Sequence, residues 1–338
     1  MNSFLTVDEV AQRLRVNPET VRIYLRKGDL EGVNRGGRTG WRVSLESYNR
    51  FVEQSGGFKE AAQQIGCRVI TVSNQTGGVG KTTTAANVGY ALAVRGRRVL
   101  LVDIDPQANL TLGLGVAEAA EDRNIVSIFR HEDRGLSASI VDTKTPNLHI
   151  VPSHIDLANA EQLAAGRFSR EHILRDAITE ELRDHYDYII LDSPPNFGLL
   201  SDNCMVAADE VIVPVAAHYY AVQGMAALLE RLRVVKKRMN PDLAVLGLLA
   251  TRFDARALLC REVLAKLKTY DQPVFASVIS EAIKVAEAPA WGQTVIEFRP
   301  DSDSADQHRR LAAEIEGERV APLTPLLNSL LTAAEEAS

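Results

Sequence analysis

The sequence predicts an α/β fold, in which helices cover both faces of a parallel sheet, with a small helical module in front. Three observations indicate this organisation. Apolar strands alternate with helical stretches from about residue 67, a glycine-rich loop joins the first of these strands to its helix, and two short helical patterns precede a basic hairpin within residues 1–54. Continuous apolar strands between helices are typical of a parallel sheet that is buried on both faces.

The composition excludes several classes of protein. The chain has 338 residues, of which 46% are hydrophobic and 24% are charged, as in an ordinary globular protein. No apolar run approaches the ~20 residues of a membrane helix, and the amino terminus lacks the pattern of a secretory signal. Cys67, Cys204 and Cys260 have neither the number nor the spacing of a disulfide framework or a zinc site. We therefore expect a cytoplasmic protein.

The charge is unevenly distributed along the chain. The net charge is −6, yet residues 1–55 carry nine Lys/Arg against seven Asp/Glu. Because a slightly basic module precedes an acidic one, any contact with nucleic acid must come from local patches. We expect three parts, namely a DNA-binding domain at 1–54, a linker at 55–66 and a larger domain at 67–338.

The first part contains two helix starts. Thr6 and Glu9 have the spacing of a capping box, and an apolar face follows them. Asn17 is a good N-cap for a second helix, and Pro18 fits its first position. In that helix, one set of side chains is apolar and available for packing, namely Val21, Tyr24 and Leu25. Two short helices joined by a tight turn make a helix-turn-helix, whose second helix can enter a major groove.

A basic, glycine-rich hairpin follows at residues 33–43 and would serve as a wing near phosphates. The whole arrangement resembles the small winged helix-turn-helix of excisionase and MerR-type regulators. The resemblance implies DNA contacts from Arg22 and Arg26 on the second helix and from Arg38 in the wing. A dimerisation or docking domain built from the same helices is the alternative.

A glycine-rich loop follows the apolar strand at residues 68–73 and leads directly into a helical stretch. Its glycines let backbone N–H groups point at phosphates, and the amino terminus of the helix favours anionic groups. Lys81 would reach the terminal phosphates, and the Thr82 hydroxyl would ligate Mg²⁺. The predicted nucleotide-binding residues are Thr76, Gly77, Gly78, Val79, Gly80, Lys81, Thr82 and Thr83.

This loop departs from the usual phosphate-loop pattern, because Gln75 stands at the first glycine position and the glycines are compressed after it. It resembles the deviant phosphate loop of the ParA/MinD family of ATPases, and the resemblance covers about residues 67–300. The family fold is a parallel-sheet, deviant P-loop NTPase domain. The resemblance implies ATP and Mg²⁺ as ligands.

Thr76 stands where the family has a signature lysine, which crosses a dimer interface and supports hydrolysis on the partner's nucleotide. The resemblance therefore implies ATP binding with slow hydrolysis, and nucleotide-driven dimerisation stays open. Lys144 is the only lysine between Lys81 and Lys236, and it would substitute only if the fold brought it near the phosphates. An arginine substitute, an engineered change and a relative that never uses this lysine are equally open.

Acidic residues lie at or just after the ends of two later apolar strands, where ligands bind in parallel sheets. A carboxylate there can hold Mg²⁺-bound water or orient the attacking water. By resemblance, Asp105 is the water-positioning aspartate, Asp103 supports it, and Asp192 ends a Walker-B-like strand near Mg²⁺. The predicted catalytic residues are Lys81, Asp105 and Asp103, and the predicted metal ligands are Thr82, Asp192 and Asp105. The loop 193–198 would respond to the terminal phosphate as a switch.

Further apolar strands are predicted at 210–215, 243–249 and 274–279, and a helix is predicted in the acidic tail 323–338. Two segments between and after these strands match the surface with which ParA-type ATPases grip DNA without reading its sequence. Arg256 and Lys284 occupy the matching positions, and Arg252 lies beside the first. A few phosphate contacts of this kind give weak, salt-sensitive binding that a dimer would strengthen.

The resemblance thus implies a partition ATPase that forms a homodimer on ATP binding and coats the nucleoid. A ParB-like centromere-binding partner would stimulate hydrolysis, and the helix-turn-helix would bind operator DNA. The acidic tail argues against a basic membrane-binding helix. Two alternatives stay open, namely a cargo-positioning ATPase that lacks the signature lysine, and a nucleotide-gated transcriptional regulator with little hydrolysis.

Overall fold

A computed structural model describes most of the chain. The described residues are 4–7, 9–10, 21–22, 24–25, 28, 30–34, 41–54, 66–117, 123–217, 221–254, 256–318 and 320. The chain forms two compact units, of which the first comprises residues 1–66 with 315–319 and the second residues 67–314 with 320–338. Arg26, Arg38, residues 55–65 of the expected linker and the tail 323–338 lie outside the described residues.

The amino-terminal unit has a three-stranded sheet in the order β1-β3-β2, in which both pairs are antiparallel. Its elements are β1 (Phe4–Thr6), β2 (Val33–Asn34), β3 (Trp41–Ser44) and α1 (Leu45–Gln54). The capping box is confirmed, because the Thr6 amide donates to Glu9 Oε2 at 2.7 Å and the Glu9 amide donates to Thr6 Oγ1 at 3.1 Å. The predicted packing residues Val21, Tyr24 and Leu25 are buried in its core.

The second unit contains a seven-stranded sheet with helices in the connections. Its strands are β4 (Arg68–Val72), β5 (Val99–Asp103), β6 (Val141–Asp142), β7 (Leu148–Val151), β8 (Tyr188–Asp192), β9 (Glu210–Ala216) and β10 (Ala244–Thr251). Its helices are α2 (Lys81–Val94), α3 (Asn109–Gly113), α4 (Val126–Arg130), α5 (Ala160–Leu163), α6 (Ile173–Ala177), α7 (Glu180–His185), α8 (Leu199–Ala207), α9 (Ala221–Arg238), α10 (Leu258–Leu267), α11 (Ile283–Glu287), α12 (Val295–Phe298) and α13 (Asp303–Ile315). None of the described helices is long and apolar enough to cross a bilayer.

The strand order is β10-β9-β4-β8-β5-β7-β6, and all neighbours are parallel except the edge pair β6 and β7. The predicted parallel fold is therefore confirmed, with one antiparallel edge strand. The central strands β4, β5 and β8 are almost wholly buried because helices cover both faces. Their carboxyl ends are brought side by side, since Val72 pairs with Asp192 and Asp192 pairs with Asp103.

The predicted strand at 274–279 is wrong. Among the described residues, the segment forms one isolated bridge with β10, Leu248 with Val274, and a second bridge, Phe253 with Ser280, lies just after it. The Phe275 and Ile279 amides donate to the Leu248 and Ala250 carbonyls of β10, at 3.0 and 2.9 Å. Helix α13 binds two other amides of the segment. The Glu314 carboxylate accepts the N–H groups of Ala276 and Ser277, at 2.6 and 3.0 Å. The segment is therefore held to the sheet edge partly by side chains instead of by a full ladder.

Candidate nucleotide site

The phosphate loop runs from the end of β4 to the start of α2. Gly78 and Gly80 have φ values of 71° and 88°, the left-handed conformation that glycine adopts without a steric penalty. Gly80 is the N-cap of α2 and has no side chain to occupy the helix terminus. The loop is also tied to β10, because Thr251 Oγ1 donates to the Val79 carbonyl at 2.8 Å. This geometry leaves the amino terminus of α2 available to an anion.

Lys81 is the first residue of α2, and its side chain is buried at the loop. Its Nζ donates to the Thr76 carbonyl at 3.1 Å, so the ammonium lies against the loop's own backbone. Burial lowers the pKa of Lys81 below its ordinary value, and the carboxylates of Asp192 and Asp105 oppose that shift. The structure thus brings the predicted lysine and two predicted aspartates together.

Asp192 is the most unusual group of the site. Its residue is fully buried, and neither carboxylate oxygen has a hydrogen-bond partner among the described residues. Burial raises the pKa of Asp192 well above its ordinary value, and the neighbouring Asp103 raises it further. The Thr82 side chain lowers that pKa although it makes no hydrogen bond of normal geometry with the carboxylate. An orphaned buried carboxylate beside a threonine hydroxyl has the oxygen donors that Mg²⁺ takes in nucleotide sites, so these residues fit the ion.

Asp103 and Asp105 have different environments. Asp103 is wholly buried, and burial raises its pKa although hydrogen bonds from Thr111 and from the Asp105 amide favour the charged form. Asp105 lies after the strand, where its Oδ1 accepts the Gln107 amide at 3.0 Å. Asp103, the predicted supporting carboxylate, and Asp105, the predicted water-positioning carboxylate, thus lie two residues apart at one end of the sheet.

Thr76 is exposed and does not replace the missing lysine with another charge. Its amide donates to Asn74 Oδ1 at 3.0 Å, and Asn74 in turn donates to the Pro214 carbonyl at 2.6 Å. Lys144 lies elsewhere. Its Nζ is 3.3 Å from the position of a Cβ on Gly115, between the β6–β7 turn and the residues after α3. Among the described residues, no contact joins Lys144 to the phosphate loop, so the condition for Lys144 to replace the signature lysine is not met.

Each cation predicted to touch DNA in this unit has a carboxylate partner. Arg256 is 91% exposed and pairs with Asp254 at 3.0 Å, and Lys284 pairs with Glu287 at 2.8 Å. Arg252 donates through Nε to Glu281 at 3.1 Å. Its Nη1 also lies 4.0 Å from the Cβ position of Gly78, so this guanidinium is beside the phosphate loop. In the amino-terminal unit, Arg22 is on a described helical turn.

Several residues that support the site were not found from the sequence. Thr251 holds the loop from a strand that begins more than 160 residues later, and Glu281 holds the Arg252 guanidinium. Thr111 and Ser153 connect Asp103 to the loop after β5. All four are ordinary polar residues outside any motif, and only the fold brings them to the site.

Comparison with known proteins agrees with this architecture. The family model of the AAA domain matches residues 67–245, and that of a helix-turn-helix domain matches residues 4–56. Sporulation initiation inhibitor protein Soj of Bacillus subtilis is 41% identical over 249 residues, which cover 73% of this chain and 98% of that protein. Chromosome-partitioning ATPase Soj of Thermus thermophilus is 42% identical over 250 residues, which cover 73% of this chain and 95% of that protein.

Solved structures give the same result. Cobyrinic acid a,c-diamide synthase from Mycobacterium smegmatis, crystallised with ADP and magnesium, has a TM-score of 0.65 and 35% identity, covering 77% of this chain and 100% of that one. The septum site-determining protein MinD from Pyrococcus horikoshii, in complex with Mg-ADP, has a TM-score of 0.63 and 28% identity, covering 74% of this chain and 96% of that one.

A parallel sheet with a glycine-rich loop between β4 and α2 defines the second unit as a P-loop nucleotide-binding domain. The similarity of this chain to the two Soj proteins covers nearly the whole length of both, and it identifies the family within the class of P-loop proteins. The chain belongs to the ParA/Soj family of partition ATPases and carries a helix-turn-helix domain at its amino-terminal end.

Proposed function

We propose that this protein is an ATP-dependent DNA partition ATPase that binds ATP with Mg²⁺ and forms a homodimer on the nucleotide. The observation that carries the proposal is the buried Asp192 carboxylate, which has no hydrogen-bond partner in the described part of the chain and is close enough to Lys81 and Thr82 for each to affect its pKa. A buried charge without a partner is costly, so a cation is the natural occupant of this position. The relatives' names support partition as the use of the site.

The phosphate loop would bind the triphosphate through its backbone N–H groups and through the amino terminus of α2. Lys81 would leave the Thr76 carbonyl and donate to terminal phosphate oxygens, which are better acceptors because they are charged. Thr82, Asp192 and Asp105 would hold Mg²⁺, directly or through its water. The ion, when bound, supplies positive charge that offsets the charge developing on the transferred phosphoryl group.

Asp105 would orient the attacking water. Its Oδ1 is occupied by the Gln107 amide, which leaves Oδ2 to accept a hydrogen bond from water. Asp103 would support it, since Asp103 Oδ1 accepts the Asp105 amide at 3.2 Å. Because Thr76 adds no positive charge to a partner's nucleotide, we expect slow hydrolysis that a ParB-like centromere-binding protein stimulates.

The DNA contacts would use two surfaces. Arg256, Lys284 and Arg252 would contribute sequence-independent phosphate contacts, and dimerisation would double their number, so the protein would associate with the nucleoid in the cytoplasm. The helix-turn-helix would bind operator DNA through Arg22, Arg26 and Arg38. The proposal also includes the division of the chain into a DNA-binding domain at 1–54, a linker at 55–66 and an ATPase domain at 67–338.

Thr76 favours a second candidate function, a cargo-positioning ATPase that lacks the signature lysine. A third candidate, from another class of protein, is a nucleotide-gated transcriptional regulator with little hydrolysis. A regulator would bind its operator tightly and show no hydrolysis at saturating ATP, even with its partner. A cargo-positioning ATPase would have a partner without a DNA-binding domain.

The test measures binding of a fluorescent ATP analogue, ATP hydrolysis and binding to random-sequence DNA. We expect Lys81→Ala to lose nucleotide binding at least ~10-fold, because a charge-assisted contact is removed. Lys236→Ala is the matched control, since Lys236 is an exposed lysine of α9. Binding that does not depend on Mg²⁺, or equal affinity in Lys81→Ala and Lys236→Ala, would contradict the proposed site.

Thr76→Lys separates the candidate functions. If hydrolysis rises in Thr76→Lys and both forms bind DNA with ATP, the protein is a partition ATPase with a weakened catalytic centre. If neither form binds DNA in the presence of ATP, the segregation function fails although nucleotide binding stands.

A further inference from the structure

Side chains hold the backbone of Asp105 on both sides, and one of them comes from a distant part of the chain. Its amide donates to Asp103 Oδ1 at 3.2 Å, and its carbonyl accepts the Ser153 hydroxyl at 2.7 Å. Ser153 comes just after β7, almost fifty residues beyond Asp105, and is 1% exposed. The position of Asp105 therefore depends on a residue outside the phosphate loop and outside β5, the strand that precedes the aspartate.

The same residues form a closed circuit of buried hydrogen bonds. Thr111 donates to Asp103 Oδ2 through its amide at 2.9 Å and through its hydroxyl at 2.7 Å. The Thr111 hydroxyl oxygen also accepts the Ser153 amide at 3.0 Å. The bonds thus run from Asp103 to Thr111, from Thr111 to Ser153, and from Ser153 to Asp105, which returns to Asp103. Each bond is shielded from water, so losing one leaves a buried polar group unpaired.

The backbone after Asp105 needs this support. Ala108 has a φ of 54°, a left-handed conformation that is unfavourable for alanine and persists only where its surroundings impose it. The Ala108 amide donates to the same Asp105 carbonyl, at 2.9 Å. Ser153 therefore fixes the Asp105 carbonyl, the acceptor that also closes the turn through Ala108 and so sets the direction of the Asp105 side chain.

We propose that Ser153 and Thr111 are positioning residues, which fix the backbone of Asp105 so that its carboxylate meets the attacking water. The inference rests on the proposed function of Asp105 as the water-orienting group. Neither residue touches the nucleotide in this proposal, and both act through Asp105. A small displacement of the water-orienting carboxylate costs rate with little cost to substrate affinity, because in the proposed function the loop and Lys81 bind the phosphates, and Thr82 and Asp192 also hold Mg²⁺.

The experiment compares Ser153→Ala with Ser139→Ala in the full chain. Ser139 is the matched control, because it is equally buried and its hydroxyl also donates to a backbone carbonyl, that of Asn124, at 3.1 Å. We expect kcat for ATP to fall ~10- to 100-fold in Ser153→Ala with KM within ~2-fold of the parent. Ser139→Ala should keep kcat within ~2-fold. Equal losses of kcat in both variants, or a raised KM with unchanged kcat, would overturn the proposal.

Two variants of Thr111 test whether its hydroxyl is what the positioning role requires. Thr111→Ser keeps the hydroxyl and should keep turnover, whereas Thr111→Val removes it at nearly constant volume and should lose turnover as Ser153→Ala does. Hydrogen–deuterium exchange of residues 104–110 in the nucleotide-free protein gives a readout that does not depend on activity. Exchange should be faster in Ser153→Ala and Thr111→Val and unchanged in Thr111→Ser and Ser139→Ala. Unchanged exchange in Ser153→Ala would refute the positioning role.

Asp105→Ala separates this inference from the proposed function. If Asp105→Ala hydrolyses ATP at the parent rate, the proposed role of Asp105 fails, and the positioning role fails with it. If Asp105→Ala loses turnover and Ser153→Ala does not, the positioning role alone fails.

Discussion

Asp103 and Asp192 occupy paired positions on the neighbouring parallel strands β5 and β8, and both are fully buried. Asp103 has hydrogen-bond donors for both oxygens, whereas Asp192 has none among the described residues. Burial raises the pKa of each carboxyl, Asp103 raises that of Asp192 further and Asp105 that of Asp103, so the nucleotide-free protein carries two acids that resist ionisation. Ionising these two buried carboxyl groups is unfavourable without a cation and becomes favourable when a cation binds beside them.

We predict that the stability of the nucleotide-free protein falls as pH rises above the ordinary carboxyl pKa of 3.8 towards neutrality. The folded state retains protons that the unfolded chain has already released, and this contribution is lost as pH passes the raised pKa values. Asp192→Asn removes one of these protons and should flatten the dependence. Thermal unfolding midpoints between pH 5 and 8 measure it, with the exposed Asp301→Asn as control. An identical pH profile in Asp192→Asn and the parent would contradict the prediction.

Arg252 and Arg256 lie four residues apart but have different surroundings. The Arg252 guanidinium lies 4.0 Å from the Cβ position of Gly78, whereas Arg256 is almost fully exposed beside Asp254. We predict that Arg252→Ala weakens binding of a fluorescent ATP analogue ~3- to 10-fold, through loss of a cation near the phosphates. Arg256→Ala should leave nucleotide affinity unchanged and weaken DNA binding. Unchanged nucleotide affinity in Arg252→Ala would contradict this prediction and leave Arg252 with the DNA contacts alone.

At the scale of elements, the sequence predicts β4, β9 and β10 within two residues at each end, because each is a continuous apolar run. It misses β6 and β7, which are two and four residues long, too short for a pattern. The sequence also predicts a strand at 274–279, because the apolar composition of that segment is typical of a strand. The Ala276 and Ser277 amides instead find an acceptor on α13, as does the Ser280 amide just after the segment. No local pattern encodes contacts made more than 25 residues away.

The same reasoning applies to the site. The phosphate loop and its acids were predictable, because a loop motif and strand ends are local features. The circuit through Thr111 and Ser153 was not, since each residue acquires its role only from the register of β5 with β7.

We predict that Glu314→Ala destabilises the second unit by about 1–3 kcal/mol, because two partly buried amides lose their acceptor. Glu314→Gln should have a smaller effect, since its amide oxygen still accepts one hydrogen bond. Thermal and denaturant unfolding of the full chain measure the loss, and Glu230→Ala, at a mostly exposed position of α9, is the control. A loss no larger than that of Glu230→Ala would show that the segment is held by its apolar contacts.

At the scale of the whole molecule, charge balance sets how the protein meets DNA. The chain has a net charge of −6, and each candidate DNA-contacting cation of the second unit is already paired with a carboxylate. Exposed ion pairs of this kind are weak and open readily. Phosphates must therefore compete with Asp254 and Glu287 for Arg256 and Lys284, which keeps the affinity low and dependent on the doubled surface of a dimer.

This competition gives the last prediction. Asp254→Asn should release Arg256 and strengthen ATP-dependent binding to random-sequence DNA ~2- to 5-fold at low salt, with a steeper loss of affinity as salt increases. Arg256→Ala should weaken binding, and in that background Asp254→Asn should bring little gain, because only the weaker long-range repulsion of one carboxylate is removed. Fluorescence anisotropy at two salt concentrations measures both effects, with Asp301→Asn as the control for a general change in net charge. An equal gain in Asp301→Asn and Asp254→Asn would show that overall charge, rather than release of Arg256, governs the interaction.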